Sequence, residues 1–448
     1  MEDSPIVDLG IRVASRFASA NYKVEAFAGL GRHGGALIIS EEESPGQKAR
    51  KMVIKYSYGR LSLDPNSDAD ADLRNEYKCL MKLRGAEHIV QLIPLADCSI
   101  NIPGASNGAG SSPSSGLTSD LGRLLTIGSG SGSGPGQSPD SGSGASGSES
   151  EDFEARQCPT FAVEYLQWGT LSHFRHRLLE AGVERLPSRF LWRIWLCMVR
   201  QCVAMAFPPN HPEDAENIQI QREVIPPGNP QYTSLTQNSG HHENFVFGET
   251  IDLLAGEHEP GLPILKLIDF GRGKDVDEET CREFLPNSPH ELGSRINLFS
   301  AARVSLPFLG DRPPSRGLIQ ALVQLCCLTA RSDEVMEVDE SYMYRWRDFR
   351  DGKEYSVMTM APPVFSSNGY VDTQLRTLIV RIMVNGLADI LPLKDVLQET
   401  EQAVWEKGPN HPRLKTAMAT LANISETDET IRQLVQDHIF DPPRRNEA

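Results

Sequence analysis

The stretch ILKLIDFG, residues 264–271, carries the strongest structural signal in this chain of 448 residues. Residues 264–268 are mostly apolar, a pattern that is typical of a short buried strand. The strand is followed directly by Asp269, Phe270 and Gly271. A carboxylate at the end of a buried strand can bind Mg²⁺, while the Phe ring packs and the Gly leaves the turn flexible. The tripeptide alone is common, so its meaning depends on what precedes it.

A second candidate metal ligand lies 25 residues upstream, where Asn244 stands in HHENFVFG, residues 241–248. An amide oxygen is a hard ligand of the kind that Mg²⁺ accepts beside a carboxylate. Asn244 is therefore a candidate for the second metal-binding group.

A glycine-rich stretch, GLGRHG at residues 29–34, fits the pattern G-x-G-x-x-G with Gly29, Gly31 and Gly34. In a dinucleotide-binding unit this pattern opens a helix. Here it is flanked by the alternating stretch 22–28 and by the apolar stretch 36–40, which both predict strands. The pattern therefore favours a hairpin whose backbone N–H groups can approach phosphate oxygens.

Lys55 lies within MVIKY, residues 52–56, which predicts a third strand. A buried lysine needs a partner because an unpaired buried charge is costly. Glu76 follows 21 residues later within a helical pattern over residues 68–85, and we expect it to pair with Lys55.

Taken in chain order, the glycine-rich stretch, Lys55, Glu76 and the Asp269 motif resemble those of the eukaryotic protein-kinase family. More narrowly, they resemble those of a divergent fungal group of kinase-like proteins. The resemblance covers residues 20 to 405. It implies an α+β bilobal protein kinase-like fold, with a small antiparallel β-sheet and one helix in an N-lobe over 1–166 and a larger, mainly helical C-lobe over 167–405. Residues 406–448 are interpreted as a C-terminal helical extension and tail. ATP and Mg²⁺ are the implied cofactors.

The same resemblance assigns a hinge to VEYLQWGTL, residues 163–171. Val163 would guard the back of the nucleotide pocket. Backbone groups from Glu164 to Leu166 would face adenine.

The loop that ends at Asn244 departs from the family pattern H-R-D-L-x-x-x-N. Aligned on Asn244, the position of the catalytic Asp holds Ser239, and the position of the loop His holds Gln237. A serine hydroxyl is a poor proton acceptor, and loss of a general base costs roughly 10²–10⁴ in rate. His241, two residues on, could stabilise phosphate or accept a proton. The acidic residue that opens a central C-lobe helix is replaced by Asn297, whose amide can still accept backbone hydrogen bonds.

The C-lobe also lacks an ion pair that the family carries. No A-P-E sequence follows Asp269, because NSPHELGSR occupies residues 287–295. The partner arginine is absent too, since Ile390 and Leu391 stand near its place. The two losses are mutually consistent, because a buried arginine without its carboxylate is costly.

Three functions remain open from the residues. The first is a kinase-like domain that binds Mg·ATP and transfers phosphate poorly or not at all, acting through an unknown protein partner. The second is an active Ser/Thr protein kinase with a divergent loop, which is chemically possible because a loose transition state asks little of the base. The third is a small-molecule phosphotransferase.

The composition of the chain argues against several other classes of protein. A net charge of −16 argues against nucleic-acid binding and against an anionic membrane surface. Eight cysteines without a C-x-x-C pair predict neither a disulfide scaffold nor a zinc site. With no signal-peptide pattern at the start, we expect an intracellular protein, cytoplasmic or nuclear. Residues 102–156 are interpreted as a disordered insert, because 28 of the 47 residues at 104–150 are Gly or Ser.

Periodicity predicts the other elements. Strands are expected at 89–95 and 160–166, and helices at 170–181, 188–206, 295–308, 316–330, 371–384 and 393–405.

Overall fold

The structure is a computed structural model of the full chain. It describes residues 5–20, 22–31, 33–41, 49–61, 68–100, 158–183, 186–209, 211–212, 218–228, 230–249, 262–306, 341–347, 351–363, 365, 371–408 and 426–440. The predicted insert at 102–156 and the predicted helix at 316–330 lie outside these residues.

The first part of the chain forms a five-stranded antiparallel sheet, which we call the N-terminal sheet. Its strands are β1 (Tyr22–Leu30), β2 (Gly34–Glu41), β3 (Lys51–Ser57), β4 (Leu92–Ile93) and β5 (Thr160–Glu164). Their order across the sheet is β1-β2-β3-β5-β4. The strand expected over 89–95 is shorter than its apolar run suggests, because only Leu92 and Ile93 pair with β5.

Helix α1 (Pro5–Ser19) covers one face of this sheet, and the sequence analysis did not anticipate it. Leu9, Val13 and Phe17 recur every four residues and are buried. They belong to the same apolar cluster as Ile54 and Tyr56 of β3. The helical signal was present in the sequence as this i, i+4 repeat.

Helix α2 (Ala69–Lys82) belongs to the core on the side of the sheet that faces the rest of the protein. Asp68 caps it by accepting a hydrogen bond from the Ala71 N–H at 3.1 Å. Leu73 and Leu80 are buried in the same cluster as Phe161 and Val163 of β5. This packing holds the Glu76 side of the helix toward β3, because residues three and four apart share one helix face.

The remaining chain is mainly helical. The helices are α3 (Leu171–Glu180), α4 (Ser188–Ala206), α5 (Glu278–Phe284), α6 (Leu292–Ser305), α7 (Thr373–Ile382), α8 (Leu393–Glu406) and α9 (Asp428–Val435). Helix α4 is central, as its apolar composition predicts: Trp192 and Trp195 are fully buried, and the Trp195 indole donates to the Thr400 hydroxyl at 3.1 Å.

Short strand pairs lie among the helices. They are β6 (Leu235–Thr236) with β9 (Lys274–Asp275), β7 (Phe245–Gly248) with β8 (Ile264–Leu267), and β10 (Tyr342–Arg347) with β11 (Glu354–Thr359). The β10–β11 hairpin was not predicted. The described fold is therefore mixed α+β, with one small antiparallel sheet beside a helical region.

A buried ion pair joins the loop after α2 to the helical region. The His88 ring atom Nδ1 lies 2.7 Å from Glu223 Oε2, and the backbone N–H of His88 donates to Glu223 Oε1 at 2.7 Å. The Glu223 carbonyl accepts from Arg200 of α4, which also pairs with Glu401. Glu87 lies beside this pair, and its carboxylate completes a buried three-residue cluster. Since both Glu223 oxygens are already bonded, we interpret the cluster as an anchor between the two regions.

Membrane insertion is not indicated by the helices. None of those in the described ranges is both long and apolar enough to cross a lipid bilayer. The six described cysteines are all free thiols.

Candidate functional site

Asn244 and Asp269 are brought together by the register of β7 and β8. Phe245, the first residue of β7, pairs with Leu267, the last residue of β8. The residues just outside these two therefore meet at the same end of the strand pair. The Ile268 N–H donates to the Asn244 carbonyl at 2.8 Å, which fixes the two chains side by side.

Asp269 has a left-handed backbone conformation, with φ at 62°. A non-glycine residue rarely adopts this region without a constraint from its surroundings. Here Phe270 is fully buried immediately after it, and the Gly271 N–H donates to Asp269 Oδ1 at 3.2 Å. The constraint places a carboxylate on a turn at the end of a core strand.

Lys55 and Glu76 form an ion pair, with Nζ 2.5 Å from Oε1. Glu76 is buried, and the Lys55 side chain is 19 % exposed. Burial by itself lowers the pKa of the Lys55 ammonium, but the carboxylates of Glu76 and Asp269 outweigh it and raise that pKa. Lys55 is therefore a permanent cation at neutral pH, and Asp269 is close enough to act on it.

Asn75 ties α2 to the turn after Asp269, a contact that the sequence analysis did not identify. Its side-chain amide donates to the carbonyls of Gly271 at 3.1 Å and Gly273 at 2.6 Å. Asn75 directly precedes Glu76, so the same helical turn holds both Lys55 and the Asp269 turn. The only sequence signal was a polar residue next to a predicted buried glutamate.

The loop at residues 237–244 is held by its own side chains. Gln237 is buried, and its amide donates to the Asp269 carbonyl at 2.8 Å. The same side chain accepts the Ser239 N–H at 3.0 Å. Asn244 Nδ2 donates to the Ser239 carbonyl at 2.7 Å and approaches its hydroxyl at 3.2 Å. Because nitrogen is the donor in both bonds, the Asn244 amide oxygen remains the atom that can coordinate a cation.

Asn297 supports this loop from α6. Its Oδ1 accepts the Gln237 N–H at 3.3 Å, as its amide chemistry predicts, and its Nδ2 donates to the Leu235 carbonyl at 2.8 Å. An aspartate could make only the first bond, since a carboxylate has no donor at neutral pH.

The two histidines of the loop differ in exposure. His241 is exposed, whereas His242 is half-buried. Burial, and next the neighbouring Arg175 guanidinium, lower the pKa of His242 to about 4. His242 is consequently neutral at physiological pH, while the imidazole of His241 is open to solvent.

The three glycines of the β1–β2 hairpin do different things. The Gly31 N–H donates to the Gly34 carbonyl at 2.8 Å, closing the hairpin. A Cβ at Gly34 would lie 2.2 Å from the Tyr56 carbonyl of β3, so only glycine fits there. A Cβ at Gly29 would meet nothing within 4 Å. Gly34 is thus required by strand packing, whereas a side chain at Gly29 would meet no such obstacle.

The predicted hinge follows β5. Val163 is buried and pairs with Val53 of β3 and Leu92 of β4. The Glu164 carboxylate accepts from Lys266 Nζ at 2.6 Å and from the Gln91 N–H at 2.8 Å. Lys266 lies in β8 and is buried, so this bond joins the hinge to the strand that ends at Asp269.

Leu166 lies next to the end of β7. Its Cδ2 is 2.9 Å from the position that a Cβ on Gly248 would take. The structure thus brings the predicted hinge residues to the same strand pair that carries Asn244 and Asp269.

Arg295 makes a buried ion pair near the place where the family resemblance implies an arginine that the sequence lacks. Arg295 is buried and pairs with Glu291 at 2.7 Å. It also donates to the carbonyls of Leu387 at 3.0 Å and Ala388 at 2.7 Å. These carbonyls lie beside Ile390, so Arg295 ties α6 to the turn where the expected arginine is absent.

Comparison with models of known protein families finds no match, and comparison with curated protein sequences finds no relative. The assignment of function therefore depends on the geometry described above. That geometry combines a half-buried, paired lysine, a carboxylate and an amide at one strand end, and a glycine hairpin.

Proposed function

We propose that this chain is a protein kinase-like protein that binds Mg·ATP in the cleft between the N-terminal sheet and the helical region, and that it transfers phosphate weakly or not at all. One observation carries the proposal: Lys55, held by Glu76, lies within electrostatic reach of Asp269. A fixed ammonium beside a carboxylate suits a phosphate chain bridged by a divalent cation.

The donor set fits the proposed cofactors. Asp269 and Asn244 supply a carboxylate and an amide oxygen at one strand end, and Mg²⁺ prefers hard oxygen ligands. Lys55 would contact the phosphates, and the backbone of residues 29–34 would cover them. When bound, Mg²⁺ would neutralise phosphate charge. Val163 and the backbone at 164–166 would hold the base.

The expected weakness in transfer rests on Ser239. Its hydroxyl lies 3.2 Å from Asn244 Nδ2, within the loop that would approach the substrate, yet it has no useful basicity at neutral pH. His241 is exposed two residues away and is the remaining candidate base.

Thermal unfolding of the full chain with ATP, in the presence and absence of Mg²⁺, tests the proposal. At a hundredfold excess over Kd, binding stabilises the protein by about 2.7 kcal/mol. Lys55→Met combined with Glu76→Leu removes the cation without leaving a buried carboxylate behind, and should abolish the shift. Lys51→Met is the matched control, because Lys51 lies on the same strand but is exposed. It should keep the shift.

The absence of any shift at millimolar ATP would contradict the proposal. A shift that does not need Mg²⁺ would remove Asp269 and Asn244 from the site. If ATP binds, release of phosphate and its transfer to protein or to small metabolites would then separate the three functions that the sequence leaves open.

A further inference from the structure

The C-terminal segment, residues 426–440, docks against α3 and α4. It consists of α9 followed by the turn Gln436–Phe440. Ile431, Val435 and Ile439 recur every four residues and are each 1 % exposed. The segment is therefore part of the core, and it lies within residues 406–448, which the sequence analysis interprets as a C-terminal helical extension and tail.

One end of the segment is fastened to the start of α4. The Glu426 carboxylate accepts the N–H groups of Ser188 at 2.7 Å and Arg189 at 3.2 Å. The first N–H groups of a helix have no intrahelical acceptor, so a carboxylate there is stabilising. The Arg189 side chain returns the contact, donating to the Glu426 carbonyl and pairing with Asp428 at 2.7 Å.

The other end reaches the residues that follow β5. Arg177 of α3 donates to the His438 carbonyl at 2.8 Å, which fixes the turn. The Phe440 ring then packs on the Trp168 ring, with centroids 4.5 Å apart and an interplanar angle of 56°. Trp168 lies within the predicted hinge, residues 163–171, four residues after Glu164.

Trp168 is in turn bonded to the strand that carries Asn244. The Trp168 N–H donates to the Phe247 carbonyl at 3.3 Å, and the Phe247 N–H donates to the Gly169 carbonyl at 2.9 Å. These bonds couple the hinge to β7. Phe440 therefore contacts an aromatic residue, Trp168, whose backbone N–H links the hinge to the strand that follows Asn244.

We propose that the C-terminal segment positions the hinge for nucleotide binding, with the Phe440–Trp168 contact as the link and Phe440 as a positioning residue. The inference rests on the proposed function as far as the nucleotide is concerned. The physical reason is that a hinge held in its binding conformation before the ligand arrives loses less conformational freedom on binding.

Phe440 is not needed to hold the C-terminal segment in place. The segment is already attached to α4 by Glu426, 14 residues before Phe440, and its apolar face is buried in the core. Removing the Phe440 ring should therefore leave the segment docked and loosen only the hinge.

The experiment uses the full chain with Phe440→Ala and Phe440→Leu. Amide hydrogen exchange, followed by mass spectrometry, is measured over residues 164–169 and 245–248, and ATP affinity is measured by thermal shift. We expect Phe440→Ala to accelerate exchange in both stretches and to raise the Kd for ATP about three- to tenfold. Phe440→Leu keeps an apolar side chain on the indole and should restore most of the protection.

Arg432→Ala is the control, because Arg432 is exposed in the same C-terminal segment and pairs only locally with Glu429 among the described contacts. It should leave exchange and affinity unchanged. Unaltered exchange at 164–169 in Phe440→Ala, or equal acceleration in Arg432→Ala, would overturn the inference. If the unsubstituted protein binds no ATP, the proposed function and the nucleotide part of the inference fail together. The exchange measurement then still decides whether Phe440 controls the hinge.

Discussion

Gln237 donates a hydrogen bond from its buried side-chain amide to the backbone carbonyl of Asp269, at 2.8 Å. The same amide group accepts the Ser239 N–H through its oxygen. One neutral side chain therefore fixes both the loop that ends at Asn244 and the turn that presents the carboxylate. The amide nitrogen of Gln237 is the donor and its amide oxygen is the acceptor. An apolar residue of the same size can supply neither.

Replacing Gln237 should loosen the site and destabilise the fold. Gln237→Leu leaves the Asp269 carbonyl and the Ser239 N–H without these partners, at a cost of about 1–3 kcal/mol for buried polar groups. Urea unfolding measures the loss. Gln402→Ala, which removes an exposed amide paired with Glu406, should cost well under this and serves as the control. Equal stability of the two variants would contradict the role assigned to Gln237.

Asn297→Asp should destabilise the protein even though aspartate is the residue that the family resemblance implies at this position. The Leu235 carbonyl, 2.8 Å from Nδ2, would then face a second acceptor instead of a donor. We expect a loss of about 1–3 kcal/mol at pH 7, read from urea unfolding. Asn385→Asp is an exposed control and should be near neutral. A stabilised Asn297→Asp variant would show that charge matters more here than the lost donor.

Lys55→Met alone should reduce the free energy of unfolding more than the removal of Lys55 and Glu76 together. The single change leaves the buried Glu76 carboxylate uncompensated, which costs about 3–5 kcal/mol. Lys55→Met with Glu76→Leu removes both charges and should recover most of that loss. Thermal and urea unfolding of four proteins, the unsubstituted protein, Lys55→Met, Glu76→Leu and the double variant, form a double-mutant cycle. Additive losses would mean that the 2.5 Å pair is not energetically coupled.

Ser239→Asp should create or strengthen phosphate transfer. The new carboxylate would stand where the hydroxyl now approaches Asn244, and a positioned base contributes roughly 10²–10⁴ in rate. ATP turnover is measured by phosphate release, with Ser239→Asn as a control of equal size and no basicity. An unsubstituted protein that is already fully active, and that gains nothing from the change, would favour the active-kinase alternative.

The buried His88–Glu223 pair should make stability fall at high pH. Burial opposes the charge, but Glu223 raises the pKa of His88 to about 10. An imidazole with a raised pKa contributes its full stability below the unfolded value of about 6.5, and loses it as the pH rises toward 10. Urea unfolding at pH 6 and pH 9 should therefore show a smaller free energy at pH 9.

His88→Gln should flatten this pH dependence of the unfolding free energy. A slope equal to that of the unsubstituted protein would contradict the role assigned to His88.

His242 contributes a pH dependence of stability with the opposite sign. Its pKa is lowered to about 4, so its contribution is present above about pH 6.5 and declines as the pH falls toward 4.

The sequence by itself determined the elements whose signal is periodic or local. The strands at 22–28, 36–40 and 52–56, the helix around Glu76 and the apolar helix at 188–206 were all predicted near their observed bounds, because burial repeats at the period of the element. The resemblance in motif order also implied that Lys55 pairs with Glu76 and that Asn244 and Asp269 serve one site, and the structure brings the members of each pair together.

Only the tertiary structure decided the contacts between residues far apart in sequence. Three such contacts leave no local pattern in the sequence, because each joins segments separated by about a hundred residues or more. They are the hydrogen bond from Asn75 to the Gly273 carbonyl, the ion pair of Lys266 with Glu164, and the ring contact of Phe440 with Trp168. The hydrogen bonds of Gln237, which stands where the family resemblance implies a histidine, were equally unpredictable from the sequence. A polar residue in a loop has no period, and its partner is set by the packing of strands and helices around it.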